Sequence, residues 1–388
     1  MGKDELRLLV ITELFLPTKG GTAVWFAEVY PRLAGKSIHI LTADVPGARD
    51  VDETHPNTIH RLTLRRYHWL KPESLLMYAK FCLSALGLAL RHGFDGIHAG
   101  RVLPEGLVGW VVARLIGKPF VVYAHGEELT TWGRGLKFRA MAFTFRHADL
   151  VVANSDYTQG ELLRMGMDPR RIVLIYPGVD VTRFRPGLRA DDLRTRLGLG
   201  PNQRLLLSVG RLQRRKGFDM LIRCIPALVS CGVDVHYALV GRGEDRDYLE
   251  QLASSLGVAR RVHFLGHVSS EDLPRWYNAC DVFAMPNREV EGDTEGFGMV
   301  FLEAGACGKP VVAGRAGGTA AAVIDGITGL RVNGGSVSEI TEAIYRLQAG
   351  HLSQQMGSAG HRRAITEFSW ERVATQTLRF IEENQRTS

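Results

Sequence analysis

The chain has 388 residues, with 48 Lys and Arg against 41 Asp and Glu, for a formal charge of +7. At 45% hydrophobic and 23% charged it holds too much apolar material for a disordered chain and too little for a membrane bundle, and its length suits two domains. Both halves are mildly basic, so neither is a dedicated nucleic-acid arm.

Leu8 to Thr12 is a short uncharged run cut by Glu13, which suits a first strand better than a signal-peptide core. Further strands are expected at 37–43, 58–64, 95–99, 119–124, 150–154 and 171–176. A second series follows at 204–210, 234–241, 261–266, 281–286, 310–314 and 329–332. Nearly continuous Val, Ile and Leu in most of these runs, with amphipathic helical stretches between them, predicts parallel sheets covered on both faces. The apolar stretches around 75–90 and 102–116 are interrupted by Lys80 or by Glu105 and Arg114, too early for a spanning helix. Cys82, Cys224, Cys231, Cys280 and Cys307 form no CxxC pair, as expected of reduced thiols in a cytoplasm.

The Pro- and Gly-rich segment 177–203 is the expected seam. It divides the chain into an N-terminal domain 1–185, a C-terminal domain 186–368 and a terminal helix 369–388. Two stretches lack carboxylates. Residues 54–72 carry Arg61, Arg65, Arg66 and Lys71 among Tyr67, His68 and Trp69, and residues 129–148 carry Arg134, Lys137, Arg139 and Arg146. Such basic, aromatic surfaces suit either anionic lipid headgroups or ordinary solvent.

Ligands of open α/β sheets collect beyond the carboxyl ends of strands, where helix starts offer free amides. After the first strand, Gly20 and Gly21 open an apolar helix and let an anion approach the backbone. After strand 204–210, Arg211 and Lys216 stand around a helix start, a fork and a point charge suited to a diphosphate. The crowding of Arg214 and Arg215 beside them is explained if an anion fills the centre. Gly241 and Gly243 form GxG after a strand, but Arg246 breaks the dinucleotide fingerprint. Asp50-Val51-Asp52 and Asp245-Arg246-Asp247 are disfavoured as metal pairs because neither closes a strand beside a phosphate-binding loop. After strand 281–286 come Glu289, Glu291, Asp293 and Glu295, then Gly296-Phe297-Gly298 and a helix bearing Glu303. Glu295 and Glu303 are expected on one helix face, two turns apart, as acceptors for sugar hydroxyls.

LPTKGG, HGEE, GRLQRRKGFD and EGFGMVFLEAGACGKPVVAGRAGG together resemble the retaining glycosyltransferases of family 4, the glycosyl transferases group 1. They span nearly the whole chain in the family's order. The resemblance implies the α/β GT-B architecture, two Rossmann-like doubly wound domains facing across a cleft, with the last helix crossing back to the N-terminal domain. It implies that Glu295 and the amides of Phe297, Gly298, Met299 and Val300 hold the donor sugar and distal phosphate, and that Glu303 holds the ribose. Arg211 and Lys216 would neutralise the leaving diphosphate, with Gly21 adding an amide and Gly20 beside it. The base would lie by Gly241, Gly243 and the turn at Val268. His125 matches the active-site histidine, and Glu127 and Glu128 either order its loop or touch the acceptor.

Residues 289–304 are most similar to mannosyltransferases acting on phosphatidylinositol or related lipid and polysaccharide acceptors. This implies GDP-mannose as donor, with UDP-glucose or UDP-N-acetylglucosamine as second choice. No cofactor and no metal are expected, because fixed cations and a helix terminus stabilise the leaving charge. The acceptor would meet the N-terminal domain near Arg65, Arg66 and Trp69, placing the protein in the cytoplasm at the inner face of the membrane. The rivals are an epimerase or phosphorylase of the same fold and a non-catalytic sugar- or polyanion-binding protein.

Overall fold

The computed structural model describes residues 6–18, 20–64, 75–132, 135–348 and 350–385. The chain divides into one unit of Met1–Pro177 with Trp370–Ser388, and a second of Gly178–Ser369. The first boundary thus falls before Gly178 rather than after residue 185. The Val179 amide donates to the Phe368 carbonyl at 2.7 Å, and Phe184 is buried edge-on against Tyr277, which packs 178–185 with the second unit.

The first unit is a seven-stranded parallel sheet of β1 (Leu8–Ile11), β2 (Ile38–Ala43), β3 (Thr58–Leu62), β4 (Gly96–Ala99), β5 (Phe120–Ala124), β6 (Leu150–Ala153) and β7 (Ile172–Leu174). Its spatial order is β3-β2-β1-β4-β5-β6-β7. Every residue of β1, β4, β5 and β6 is buried, because helices cover both faces and leave no polar side to alternate with. The terminal helix Trp370–Gln385 belongs to this unit, burying Trp370, Val373, Phe380 and Ile381 and pairing Glu371 with Arg32 at 3.1 Å.

The second unit holds β8 (Arg204–Val209), β9 (Val235–Val240), β10 (Val262–Gly266), β11 (Val282–Met285), β12 (Val311–Gly314) and β13 (Gly329–Val332). All pairs are parallel, in the order β10-β9-β8-β11-β12-β13. Its core gathers Leu206, Leu221, Ile225, Tyr237, Leu239, Ile340 and Ile344 between sheet and helices. In both sheets strand order reverses beside the first strand, between β1 and β4 and between β8 and β11. Each reversal opens a crevice at the carboxyl ends.

Imidazoles pair across the second and third strands of each sheet. His39 meets His60 at 3.0 Å, and His236 meets His263 at 3.0 Å. Burial, then the neighbouring imidazoles, pull His39 down from 6.5 to about 4. Burial lowers His60, His236 and His263 as well, and holds His98, bonded to the Tyr30 hydroxyl at 2.6 Å, at about 3. These rings stay neutral in the native fold but protonate near 6.5 once unfolded, so the unfolded chain binds more protons below that pH. Their contribution is full above pH 6.5 and declines as pH falls towards the folded values. The thermal midpoint should therefore drop between pH 7.5 and pH 5, and His39→Gln should flatten the drop. Equal slopes in the two proteins would contradict this.

Candidate active site

In the second unit the crevice is built by the loops after β8 and β11. Gly217 starts the helix Phe218–Ser230 at φ 77°, and a Cβ there would collide with the Pro286 carbonyl, so only glycine lets the two loops close. Arg288 ties them further. Its amide donates to the Arg215 carbonyl at 2.8 Å, and its guanidinium grips Asp219 with bonds of 3.0 and 2.9 Å.

This closure sets Lys216 and Arg215 on Glu295. The Lys216 ammonium is ion-paired with Glu295 Oε2, Arg215 Nη1 reaches the same oxygen at 3.2 Å, and Arg215 Nε stands 2.9 Å from Asp293. The Lys216, Arg215 and Glu295 side chains are only 12–13% exposed, so their charges act with little screening. Burial alone would raise the Glu295 carboxyl; Lys216 and then Arg215 override it and hold it below the ordinary value. The Glu295 carbonyl is fixed by the Gly318 amide at 2.8 Å. Just beyond, the helix Met299–Ala306 starts at Gly298 without a side-chain cap, leaving first-turn amides of Met299 and Val300 to face an anion.

Several expectations change here. Arg211 is exposed, beside Glu244, while Arg215 is the arginine that pairs with Glu295. Carboxylates face the crowded arginines: Arg214 turns out to Asp245 at 3.3 Å and lies over Tyr248. Glu295 and Glu303 do not share a helix face, because the helix begins at Met299 and Glu295 sits in the preceding loop. Glu303 instead faces the helix Leu273–Ala279, where the Tyr277 hydroxyl donates to it at 2.6 Å. Gly241 and Gly243 abut backbone: a Cβ would strike the Gly210 carbonyl from one and Leu212 from the other, and Leu212 donates to the Arg242 carbonyl at 3.1 Å. Val268 lies half-buried in the turn after β10, and Phe297 is buried near Phe368.

In the first unit His125 follows β5 and is held on every side. Its Nε2 lies 2.8 Å from the Gly100 carbonyl and 3.4 Å from Thr22 Oγ1, its amide donates to Glu128 at 2.8 Å, and its carbonyl accepts from Asn154 at 3.1 Å. A carbonyl can only accept, so Nε2 donates to it. Thr22 lies in the helix Gly21–Val29, which starts from Gly20 without a side-chain cap, so the glycine turn and the histidine come together. Glu128 is buried and gives its carboxylate to the His125 amide, which makes it a loop-ordering group; burial raises its carboxyl. Glu127 is exposed.

The crevice between β1 and β4 also contains a cluster that the sequence reading missed. Arg101 binds Glu13 at 2.8 Å and Glu105 at 3.2 Å, and fully buried Glu105 accepts the Glu13 amide at 2.9 Å. Each residue follows a strand end, the one signal available. Arg65, Arg66 and Trp69 lie outside the described residues, as does Arg134. Arg61 is turned inward to Asp52 at 2.7 Å, and Lys137 lies 3.7 Å over the Trp132 ring. Among the described residues no group of three His, Cys, Asp or Glu side chains is arranged to hold a metal ion.

Residues 190–363 match the family described as Glycosyl transferases group 1, and residues 19–183 match Glycosyltransferase Family 4. The chain is 34% identical over 370 residues to the GDP-mannose-dependent alpha-(1-6)-phosphatidylinositol monomannoside mannosyltransferase of Mycolicibacterium smegmatis, covering 94% of this chain and 95% of that one. It is 32% identical to the D-inositol 3-phosphate glycosyltransferase of Thermobifida fusca, over 91% and 86% of the two chains. Among solved structures, Anabaena HepE in complex with UDP superposes with a TM-score of 0.83 at 24% identity, covering 97% of this chain and all of that one. Sucrose-phosphate synthase from Thermosynechococcus elongatus superposes with a TM-score of 0.84 at 22% identity, over 98% and 100%. With both sheets, both family matches and a relative at this identity over almost its full length, the chain belongs to the group 1, family 4 glycosyltransferases of GT-B fold.

Proposed function

We propose that this glycosyltransferase is a retaining, metal-independent hexosyltransferase that moves mannose from GDP-mannose to a hydroxyl of a lipid-linked or polysaccharide acceptor. The observation that carries the reading is the ion cluster of Lys216, Arg215 and Glu295 at the β8/β11 reversal, beside the uncapped start of Met299–Ala306. Glu295 already occupies one ammonium donor of Lys216, and two remain; Arg215 likewise keeps N–H groups beyond those facing Glu295 and Asp293. A diphosphate is thereby met by cations held in place before it arrives.

In the proposed step the bond between the sugar C1 and the phosphate oxygen breaks, and its electron pair goes to the nucleoside diphosphate. The acceptor oxygen bonds to C1 on the same face, and its proton passes to a phosphate oxygen. Lys216, Arg215 and the amides of Met299 and Val300 stabilise the leaving charge. Glu295 orients the cations and the donor sugar, and Glu303 accepts from the ribose. Mannose and GDP are favoured by the Mycolicibacterium smegmatis relative named above, at 34% identity.

The test is nucleoside diphosphate release from GDP-mannose, UDP-glucose and UDP-N-acetylglucosamine, with a phosphatidylinositol-type acceptor and with EDTA. Acceptor-dependent GDP release that survives EDTA is expected. Release from a UDP-sugar alone would move the donor to the second choice, and a strict requirement for manganese would overturn the metal-free step.

An anionic membrane surface is proposed for the acceptor side. The helix Leu75–His92 exposes Leu76, Leu83 and Leu90 at 46%, 72% and 73%, seven residues apart on one face, with Lys80 and Arg91 exposed and no carboxylate in the helix. An exposed apolar stripe flanked by cations suits a lipid surface. No helix among the described residues is long and apolar enough to cross a membrane. Leu83→Asp should lower co-flotation with phosphatidylglycerol vesicles severalfold. Equal flotation of both proteins, or no preference over neutral vesicles, would remove the proposal.

A further inference from the structure

The phenol of Tyr277 is fully buried on the helix Leu273–Ala279, between the rings of Phe184 (5.7 Å, edge-on) and Phe283 (5.4 Å). A hydroxyl in such apolar surroundings needs a partner, and this one reaches Glu303 Oε2 at 2.6 Å, while Glu303 Oε1 makes no bond among the described residues. The short charge-assisted bond fixes the carboxylate plane. Arg183 adds a second tie. It lies over Phe184, donates to the Ser270 carbonyl at 2.6 Å at the end of the turn after β10, and is near enough to lower the Glu303 carboxyl.

We propose that Tyr277 is the positioning residue of the nucleotide site: its hydroxyl locks one oxygen of Glu303 so that the other is presented to the ribose hydroxyls. This deepens the reading of Glu303 given above and rests on it. A carboxylate free to rotate in a half-buried site loses part of the gain from accepting a diol, because its rotamer must be fixed at the moment of binding. The locked group is ready in advance, and it distinguishes ribose from 2′-deoxyribose through its free oxygen.

The charge state follows the same geometry. Burial pushes the Glu303 carboxyl up, and the Tyr277 hydroxyl, then Arg183, pull it down. The other titratable groups around the pair are Cys280, at the end of the helix bearing Tyr277, and Cys307 and Lys309, just past the helix bearing Glu303. Burial holds both thiols neutral, so neither competes for the proton. Without the phenol, Glu303 takes up its proton at a higher pH, and the ribose preference fades earlier as pH falls.

The experiment measures the dissociation constants of GDP and 2′-deoxy-GDP, with UDP and 2′-deoxy-UDP in parallel, for wild type, Glu303→Ala and Tyr277→Phe across pH 5 to 8. The tighter-binding base in the wild type is used throughout. Wild type should prefer the ribonucleotide by roughly tenfold or more, and Glu303→Ala should abolish the preference. Tyr277→Phe should cut it by roughly threefold to tenfold and move its acid limb to higher pH. If Glu303→Ala loses the preference while Tyr277→Phe keeps the wild-type ratio and pH profile, the positioning role is overturned and the ribose contact stands. If Glu303→Ala keeps the preference, the ribose contact falls and the proposal with it. Should Tyr277→Phe not fold, Tyr277→Met, which also lacks the hydroxyl, is read in the same way.

Discussion

Lys216→Ala should lower turnover by about 30- to 1000-fold, a loss of ~2 to 4 kcal/mol of transition-state stabilisation. In the proposed step the ammonium faces the point where leaving charge grows, and its 13% exposure means that water does not replace it well. Arg215 still balances Glu295 in the variant, so the native fold keeps one cation at this carboxylate and the thermal midpoint should fall only slightly. Donor-saturated kinetics with a parallel melting curve check this. Turnover within threefold of wild type would remove Lys216 from the chemistry, whereas a midpoint collapse matching the activity loss would make the residue structural.

Gly217→Ala should do what Lys216→Ala does not, lowering activity and stability together. The added methyl would have to occupy the place of the Pro286 carbonyl, in a backbone conformation at φ 77° that side chains rarely adopt. The loops after β8 and β11 must then part, which breaks the bond from the Arg288 amide to the Arg215 carbonyl and draws Lys216 away from Glu295. A stability loss of about 2 to 4 kcal/mol is expected, with turnover falling at least as far as in Lys216→Ala. A normal midpoint and normal rate would show that the loops are not held at this glycine.

Each strand lies within an apolar run read from the sequence, because a sheet covered on both faces writes itself as continuous Val, Ile and Leu. Crevice positions were equally accessible, since loops after strands must line them. Which residue of Arg-Arg-Lys turns inward was not. That choice depends on the 3-10 turn Arg214–Lys216 and on the amide of Arg288, far along the chain, and it sets Arg215 beside Lys216 on Glu295. Glu295 was put on a helix because glutamates eight apart suit one face; Gly298, in a left-handed conformation, delays the helix until Met299. The Glu13, Arg101 and Glu105 cluster left no local pattern, because β1 and β4 bring together segments some 90 residues apart. Tyr277 reads as one more core aromatic until Glu303 is seen opposite it.

The measurement closest to the chemistry is a crystal structure with the nucleoside diphosphate that binds most tightly. The distal phosphate should lie within hydrogen-bond distance of Lys216 Nζ and of the first-turn amides of Met299–Ala306, with Arg215 alongside. A diphosphate seated on other residues, with the ammonium still closed on Glu295 alone, would contradict the assignment of this ion cluster to the departing group.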